Sequence, residues 1–247
     1  MNYAIMLAGG PSRRAFTDKG QKQFVRAGGR MMVTHALEPL LCSKNVDKVC
    51  VVAEHEWRDI ILLDVKDAGL DVDKISCFAI PANTNRQGSI LNALQEILRD
   101  ICGEVNVEKA SDSDTVLIHD AARPFLTTEL LDKCYEEFDC HDGIMSVILM
   151  TDNIYRTKTD GFYIEIDPVD REGMVIEQTP EIFKLKKYYK ANMALMPDKL
   201  HKIKGAAEPA LMAGMEVITF DGDDRNFKVT TKADMEKYLL LKSKDRL

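Results

Sequence analysis

The chain has no excess of positive charge. Its 33 lysines and arginines face 40 aspartates and glutamates, a formal net charge of −7 over 247 residues. That balance argues against a nucleic-acid surface, so any bound phosphate has to meet a local cluster of cations. Long apolar runs are also missing. No stretch of about 18 apolar residues could span a membrane, and the N-terminus lacks the charged head and apolar core of a signal peptide, so a cytoplasmic protein is expected. Cys42, Cys50, Cys77, Cys102, Cys134 and Cys140 include no C-x-x-C pair. Reduced, mostly structural thiols are expected from them, and a zinc site is not. Neither common glycine fingerprint for phosphate, G-x-x-x-x-G-K-[ST] or G-x-G-x-x-G, occurs. There is no internal repeat and no low-complexity tract.

What is present is the composition of a soluble enzyme. A hydrophobic fraction of 45% and a charged fraction of 30% suit one large α/β domain over residues 1–247 with a substantial core. The apolar run Tyr3-Ala4-Ile5-Met6-Leu7 opens directly into Ala8-Gly9-Gly10-Pro11-Ser12-Arg13-Arg14, and Lys22-Gln23-Phe24 follows. A buried strand that ends in small residues lets its backbone approach a ligand, and the amides of such a loop form an anion-binding concavity. Arg14 and Lys22 add mobile positive charge beside it. The segment reads either as a phosphate site or as an ordinary strand-to-helix turn with exposed bases.

Further along, Val49–Val52, Thr115–Ile118 and Met145–Leu149 read as buried strands, and segments 31–44, 88–101 and 127–138 carry apolar residues at helical spacing. The alternation predicts a mostly parallel sheet wrapped by helices, in which ligands sit outside the carboxyl ends of the strands. Residues 151–178 break the rhythm. Polar and β-forming residues surround Thr159-Asp160-Gly161, a hairpin turn signal, and suggest a β-arm or a covering loop.

Four constellations fall at expected strand ends. His119-Asp120-Ala121-Ala122-Arg123-Pro124 places a carboxylate and a guanidinium together, with Asp120 suited to Mg²⁺ or a ribose hydroxyl unless the two residues only brace the loop. His119 reads as a packing residue. Asn83-Thr84-Asn85-Arg86-Gln87-Gly88-Ser89 precedes a helix, where Ser89 either reaches a base edge or caps the helix. Val169-Asp170-Arg171 and Gln178-Thr179-Pro180 put a lone arginine in the arm. Asn226-Phe227-Lys228-Val229-Thr230 puts Lys228 in a short strand before a helix that starts near Thr231.

In order along residues 3–240, the motifs L-A-G-G…R…K-Q-F, N-R-x-x-S-I-x-N-A-L, H-D-A-A-R-P-F, D-N-I, D-R, Q-T-P and N-F-K-V-T resemble the cytidylyltransferases that act on polyol phosphates. The resemblance implies a Rossmann-like nucleotidyltransferase fold whose β-arm locks a homodimer. It implies CMP transfer from CTP to a polyol phosphate with Mg²⁺ as cofactor. By position, Arg14, Lys22 and Lys228 match the residues that neutralise the triphosphate and the transition state. Ala8, Gly9, Gly10, Asn83, Arg86, Ser89 and Asp120 match the nucleotide side, with Asp120 also at the metal. Asn153, Arg171 and Thr179 match the polyol side, and Arg171 is the residue that reaches in from the neighbouring subunit. Two substrates are known in this family, 2-C-methyl-D-erythritol 4-phosphate and ribitol 5-phosphate. The opening loop leans toward the ribitol branch.

The departures from the pattern lie mostly on the polyol side. Asn153 replaces a threonine, Glu181 a glutamine, and Glu208 is the one acidic residue near position 206. Ser12, preceded by Pro11, stands where a glycine is usual, and Ala82-Asn83 replaces a usual glycine pair. Two other functions are weighed against transfer. An inactive nucleotide-binding module would not need to keep Arg14, Lys22, Asp120 and Lys228. A glycosyltransferase would place a D-x-D after a central strand, whereas Asp112-Ser113-Asp114 precedes one.

Overall fold

The apolar run at the N-terminus becomes a central strand because both of its faces are covered. The structure, a computed structural model, describes residues 1–10, 21–82, 85–159 and 164–244. In chain order the elements are β1 (Asn2–Leu7), the hairpin β2 (Arg26–Ala27) and β3 (Arg30–Met31), α1 (Met32–Cys42), β4 (Lys48–Val52), α2 (Arg58–Asp67), β5 (Ile75–Ala79) and α3 (Arg86–Cys102). There follow β6 (Thr115–Asp120), α4 (Thr128–Phe138), β7 (Gly143–Leu149), β8 (Ile154–Thr159), β9 (Ile164–Val169), β10 (Val175–Lys184), α5 (Leu185–Met193), α6 (Glu208–Met212), β11 (Val217–Asp221) and α7 (Lys232–Lys244).

Seven strands form one sheet in the order β11-β7-β10-β6-β1-β4-β5. Only β10 runs against its neighbours; the other pairings are parallel. Side chains along a strand alternate between faces, and here each face has its own core. Tyr3 and Ile5 pack with Ile90, Leu94, Phe183 and Tyr188 under α3 and α5. Ala4 and Met6 pack with Leu37, Leu40, Ile61 and Leu131 under α1, α2 and α4. This double coverage is why β1 reads as an unbroken apolar run rather than as an alternation.

The strands and helices expected at 49–52, 115–118, 145–149, 31–44, 88–101 and 127–138 are all present, within a few residues at their ends. β5, β10 and β11 were not expected. β5 and β11 are the two edges of the sheet and are only partly buried, so neither shows a continuous apolar run. β10 is interrupted by Gln178-Thr179-Pro180, where its register against β7 shifts between Gln178 and Glu181. A bulge of this kind hides a strand from pattern reading.

The excursion expected at 151–178 ends earlier than that. β8 and β9 form a separate two-stranded ribbon, but Val175 already pairs with Leu149 in the main sheet. Gln178 and Thr179 are buried sheet residues, not arm. The turn at Asp160-Gly161 lies outside the described residues. Among the described residues no helix is long and apolar enough to cross a membrane, and all six cysteines are free thiols. The β4–β5 register brings two of them, Cys50 and Cys77, side by side.

Candidate active site

Parallel strands β4, β1 and β6 end side by side, and a cleft of about 570 Å³ opens beyond their carboxyl ends. Its walls include Gly9, Gly10, Lys22, Glu54, Pro81, Ala82, Arg86, Ser89, Asp120 and Lys228. Arg14 and Asn83, expected here, lie outside the described residues, as do Pro11 and Ser12.

The turn after β1 is fixed from two sides. Ala8 continues the ladder by donating its amide to the Val52 carbonyl. Gln23, buried next to Lys22, donates from Nε2 to the carbonyls of Ala8 at 2.6 Å and Gly10 at 3.0 Å. Gly9 is packed so closely on Pro81 that a Cβ would lie 2.3 Å from the proline Cγ. Only a glycine allows this contact between the two loops. Gln23 was not singled out from the sequence, although an amide beside a small-residue turn is a usable signal for such bracing.

Asp120, at the end of β6, is the electrostatic centre. Its Oδ1 accepts from Arg86 Nε at 3.1 Å and Nη2 at 3.0 Å, and its Oδ2 accepts from Lys228 Nζ at 2.5 Å. Burial opposes the charge on Asp120, but Arg86 and Lys228 outweigh it and hold the carboxyl well below the usual carboxylate range. The alternative of an Asp120–Arg123 brace is not what forms. Arg123 instead donates to the carbonyls of Asn226 at 2.8 Å and Glu177 at 3.0 Å, tying the loop to distant chain.

His119 is a packing residue, as expected. It is fully buried, its Nε2 lies 3.1 Å from the Arg123 carbonyl and its Nδ1 lies 2.8 Å from Thr179 Oγ1. Burial lowers its pKa to about 4 and keeps the ring neutral. The Thr179 hydroxyl also accepts from the Asp120 amide at 3.3 Å. Thr179 is therefore committed to holding the end of β6, behind the cleft and not among its walls.

Arg86 and Ser89 share the first turn of α3. The helix is capped by Asn85, whose side chain accepts from the Gly88 amide at 2.9 Å and donates to the carbonyls of Leu200 and Ile203. Ser89 is therefore not the cap. Its hydroxyl accepts from the Ala82 amide at 2.9 Å and shapes the loop on the wall of the cleft. Lys228 sits in an extended loop, not in the short strand expected, because Val229 bonds to the Ala122 carbonyl rather than to a ladder. The helix beyond it does begin at Lys232. Lys22 reaches the same loop from the other side, with Nζ 2.5 Å from the Val229 carbonyl.

The polyol-side residues are elsewhere. Asn153 and Arg171 are exposed on the arm and do not line the cleft of their own chain. Arg171 donates to the Thr151 carbonyl across the base of the hairpin. Glu208 accepts from the amides of Lys204 at 3.0 Å and Gly205 at 2.7 Å, so it closes its own loop. From the sequence Glu181 is only a departure on the polyol side, and Glu177 has no assigned place. Glu181 is fully buried beside Arg86, with Nη2 to Oε2 at 3.8 Å, and burial followed by the nearby Glu177 pushes its pKa up.

A sheet that gathers cations, a tight small-residue turn and one ionised carboxylate at its carboxyl edge has the architecture of an α/β nucleotidyltransferase. Solved structures share it. A 4-diphosphocytidyl-2C-methyl-D-erythritol synthase matches with a TM-score of 0.74 at 24% identity, covering 97% of this chain and 98% of that one. The 2-C-methyl-D-erythritol 4-phosphate cytidylyltransferase of Francisella tularensis matches with a TM-score of 0.74 at 21% identity, covering 96% and 97%. In sequence, the 2-C-methyl-D-erythritol 4-phosphate cytidylyltransferase of Thermotoga neapolitana is 30% identical over 239 residues, 96% of this chain and 94% of that protein. The bifunctional IspD/IspF enzyme of Maricaulis maris is 30% identical over 240 residues, 95% of this chain but 55% of that protein. The chain thus spans about half the length of the bifunctional relative. The family model for 2-C-methyl-D-erythritol 4-phosphate cytidylyltransferase matches residues 2–239, and the chain belongs to that family. The lean toward ribitol 5-phosphate is corrected by these matches, which carry the methylerythritol substrate and give the ribitol branch no support.

Proposed function

We propose that the chain is a single nucleotidyltransferase domain that transfers CMP from CTP to 2-C-methyl-D-erythritol 4-phosphate, releasing pyrophosphate. The observation that carries this reading is Asp120, ionised between Arg86 and Lys228 in a cleft that is also lined by Gly9 and Gly10. A phosphate oxygen of the polyol phosphate attacks the α-phosphorus of CTP, and the bond to the bridging oxygen of pyrophosphate breaks. That oxygen is already anionic, so no general base is needed and a neutral, buried His119 is no obstacle. The work left to the protein is positioning and charge stabilisation.

Lys22 and Lys228, which meet at the Val229 loop, together with Arg14, neutralise the triphosphate as it reacts. Gly9 and Gly10 let the backbone close on it. Ser89 is assigned to the base and already fixes Ala82; Asn83 is assigned to the same role by the family resemblance.

Asp120 fits Mg²⁺ as one carboxylate of the kind that this ion uses together with substrate phosphates and water. Among the described residues no group of three or more metal-ligating side chains could form a cage. When bound, Mg²⁺ would supply charge stabilisation and orientation of the phosphates.

The arm supports a symmetric dimer. The pairs Tyr155↔Pro168 and Thr157↔Ile166 share one face of the ribbon, and Tyr155 and Ile166 are exposed there. A face with exposed apolar side chains among the described residues suits a second copy, and a two-fold pair would bring Arg171 and Asn153 of each arm to the other's cleft. The test is a panel of polyol phosphates against each NTP, following pyrophosphate release. Release with CTP and 2-C-methyl-D-erythritol 4-phosphate is expected. Release only with ribitol 5-phosphate would reverse the choice of substrate, and CTP binding without release from any pair would leave a binding module.

A further inference from the structure

Behind Asp120 lies a second carboxylate that the transfer chemistry leaves without a task. Glu181 stands on β10 opposite Ile118 of β6 and is 0% exposed. Neither of its carboxylate oxygens has a hydrogen-bond partner. A buried acceptor left unpaired is costly, and few native side chains are kept in that state without a role. The cation within reach is Arg86, whose Nη2 is 3.0 Å from Asp120 Oδ1 and 3.8 Å from Glu181 Oε2. One guanidinium therefore stands between two carboxylates, bonded to the first and just short of the second.

Asp120 meanwhile carries more positive charge than a cation-binding carboxylate can use. Arg86 occupies Oδ1 and Lys228 occupies Oδ2. A divalent ion brought to such a group is repelled by both neighbours. Lys228 is the more exposed of the two and faces the cleft where phosphates would lie. Arg86 is then the one to withdraw. The movement is small, since the present 3.8 Å to Glu181 is about 1 Å longer than a charge-assisted hydrogen bond of about 2.8 Å. The two Nη atoms of Arg123 are already bonded to the carbonyls of Asn226 and Glu177.

We propose that Glu181 is a positioning residue that takes Arg86 over from Asp120, freeing the Asp120 carboxylate for the nucleotide and its metal. Arg86 opens α3 directly after the Asn85 cap, so its backbone stays fixed while the side chain changes partner. The glutamate thus acts through Arg86 and touches no substrate. This inference rests on the reading of the cleft as a CTP site.

The test is a double-mutant cycle on equilibrium binding of CTP in saturating Mg²⁺, followed by ligand-observed NMR, which reads weak as well as tight affinities. Glu181→Gln should weaken binding about tenfold in the wild-type background and should leave it unchanged in Arg86→Gln. Glu181→Met, of similar volume and without an acceptor, should repeat both results if the amide disturbs folding. The Mg²⁺ concentration for half-maximal CTP binding should rise in Glu181→Gln, an effect that a purely structural glutamate would not produce. Wild-type affinity in both Glu181 variants, or an equal loss with and without Arg86, would overturn the proposal while the CTP site stands. No CTP binding by the wild-type chain would overturn both.

Discussion

Around the cleft, Gln23, Arg86, Ser89 and Lys228 are each tied by side-chain hydrogen bonds to another segment of the same chain, whereas the arm's two strands pair with each other in a sheet of their own. Cleft residues are mostly half-buried or buried, while Tyr155 and Ile166 on the arm are 55% and 62% exposed. The contrast separates the two halves of the proposed reaction. The nucleotide half can be assembled within one chain, because sheet and helices enforce its geometry before any ligand arrives. The proposed polyol half, with Asn153 and Arg171 on the arm, would be completed by a second chain packed against that ribbon.

The largest effect expected on the cleft side comes from its cations. Lys22→Ala and Lys228→Ala should each lower kcat by about 10²-fold or more while far-UV circular dichroism stays unchanged, since each removes a charge acting on the transferring phosphate. Near-normal turnover in both folded variants would detach the cleft from the chemistry.

On the arm side, Arg171→Ala should raise KM for the polyol phosphate by roughly 10-fold or more, the value of a lost charge-assisted hydrogen bond, with CTP affinity preserved. Mixing Arg171→Ala with Lys228→Ala subunits should then restore activity, to at most about half of the wild-type rate per dimer, because one composite site in a mixed dimer carries neither lesion. Heterodimers seen by native mass spectrometry without any recovery would mean that the arm serves its own cleft or none.

A subtler change probes how tightly the cleft is closed. Gly9→Ala places a methyl 2.3 Å from the Pro81 ring carbon, and relieving that overlap should cost about 1–3 kcal/mol of stability. Chemical denaturation would measure it. An unaltered midpoint would show that the two loops are not in the contact described.

The smallest effect concerns pH. Burial, with Glu177 nearby, raises the Glu181 pKa to about 8 while Arg86 stays on Asp120. In the ligand-free protein between pH 4.5 and 8 the unfolded chain has therefore released a proton that the folded protein keeps, and that Glu181 loses to solvent when Arg86 moves to it. The unfolded state binds fewer protons over that window, and stability falls as pH rises through it. His119, lowered to about 4, acts in the opposite sense, with stability falling as pH drops from 6.5 toward 4. Glu181→Gln should remove the first slope alone, so its melting temperature relative to wild type should rise by about a few degrees between pH 5 and pH 8. A constant difference across that range would deny Glu181 its shifted protonation.

Much of the cleft was legible in the sequence because its parts are local. A strand that ends in Ala8-Gly9-Gly10, a helix beginning near Ser89 and a strand end at Asp120 each follow from short-range pattern and residue chemistry, although the helix in fact begins at Arg86 behind the Asn85 cap. The parallel alternation fixes that such ends share one edge. β10 escaped notice because Thr179-Pro180 breaks its pattern, and the arm's true limit at Val175 escaped because a strand leaving a hairpin looks the same in sequence as one joining a sheet.

Partner choice among charges could not be read at all. Asp120 is three residues from Arg123 yet pairs with Arg86 and Lys228, 34 and 108 positions away, and Arg123 spends its guanidinium on two carbonyls. The sequence by itself determined which residue types stand at the strand ends, since strand, turn and helix preferences act over a few residues. Only the tertiary structure decided which cation meets which carboxylate and that Glu181, 3.8 Å from Arg86, stands behind them without a hydrogen bond among the described residues. Charge pairing depends on distance and burial, and both are set by how the sheet brings distant segments together.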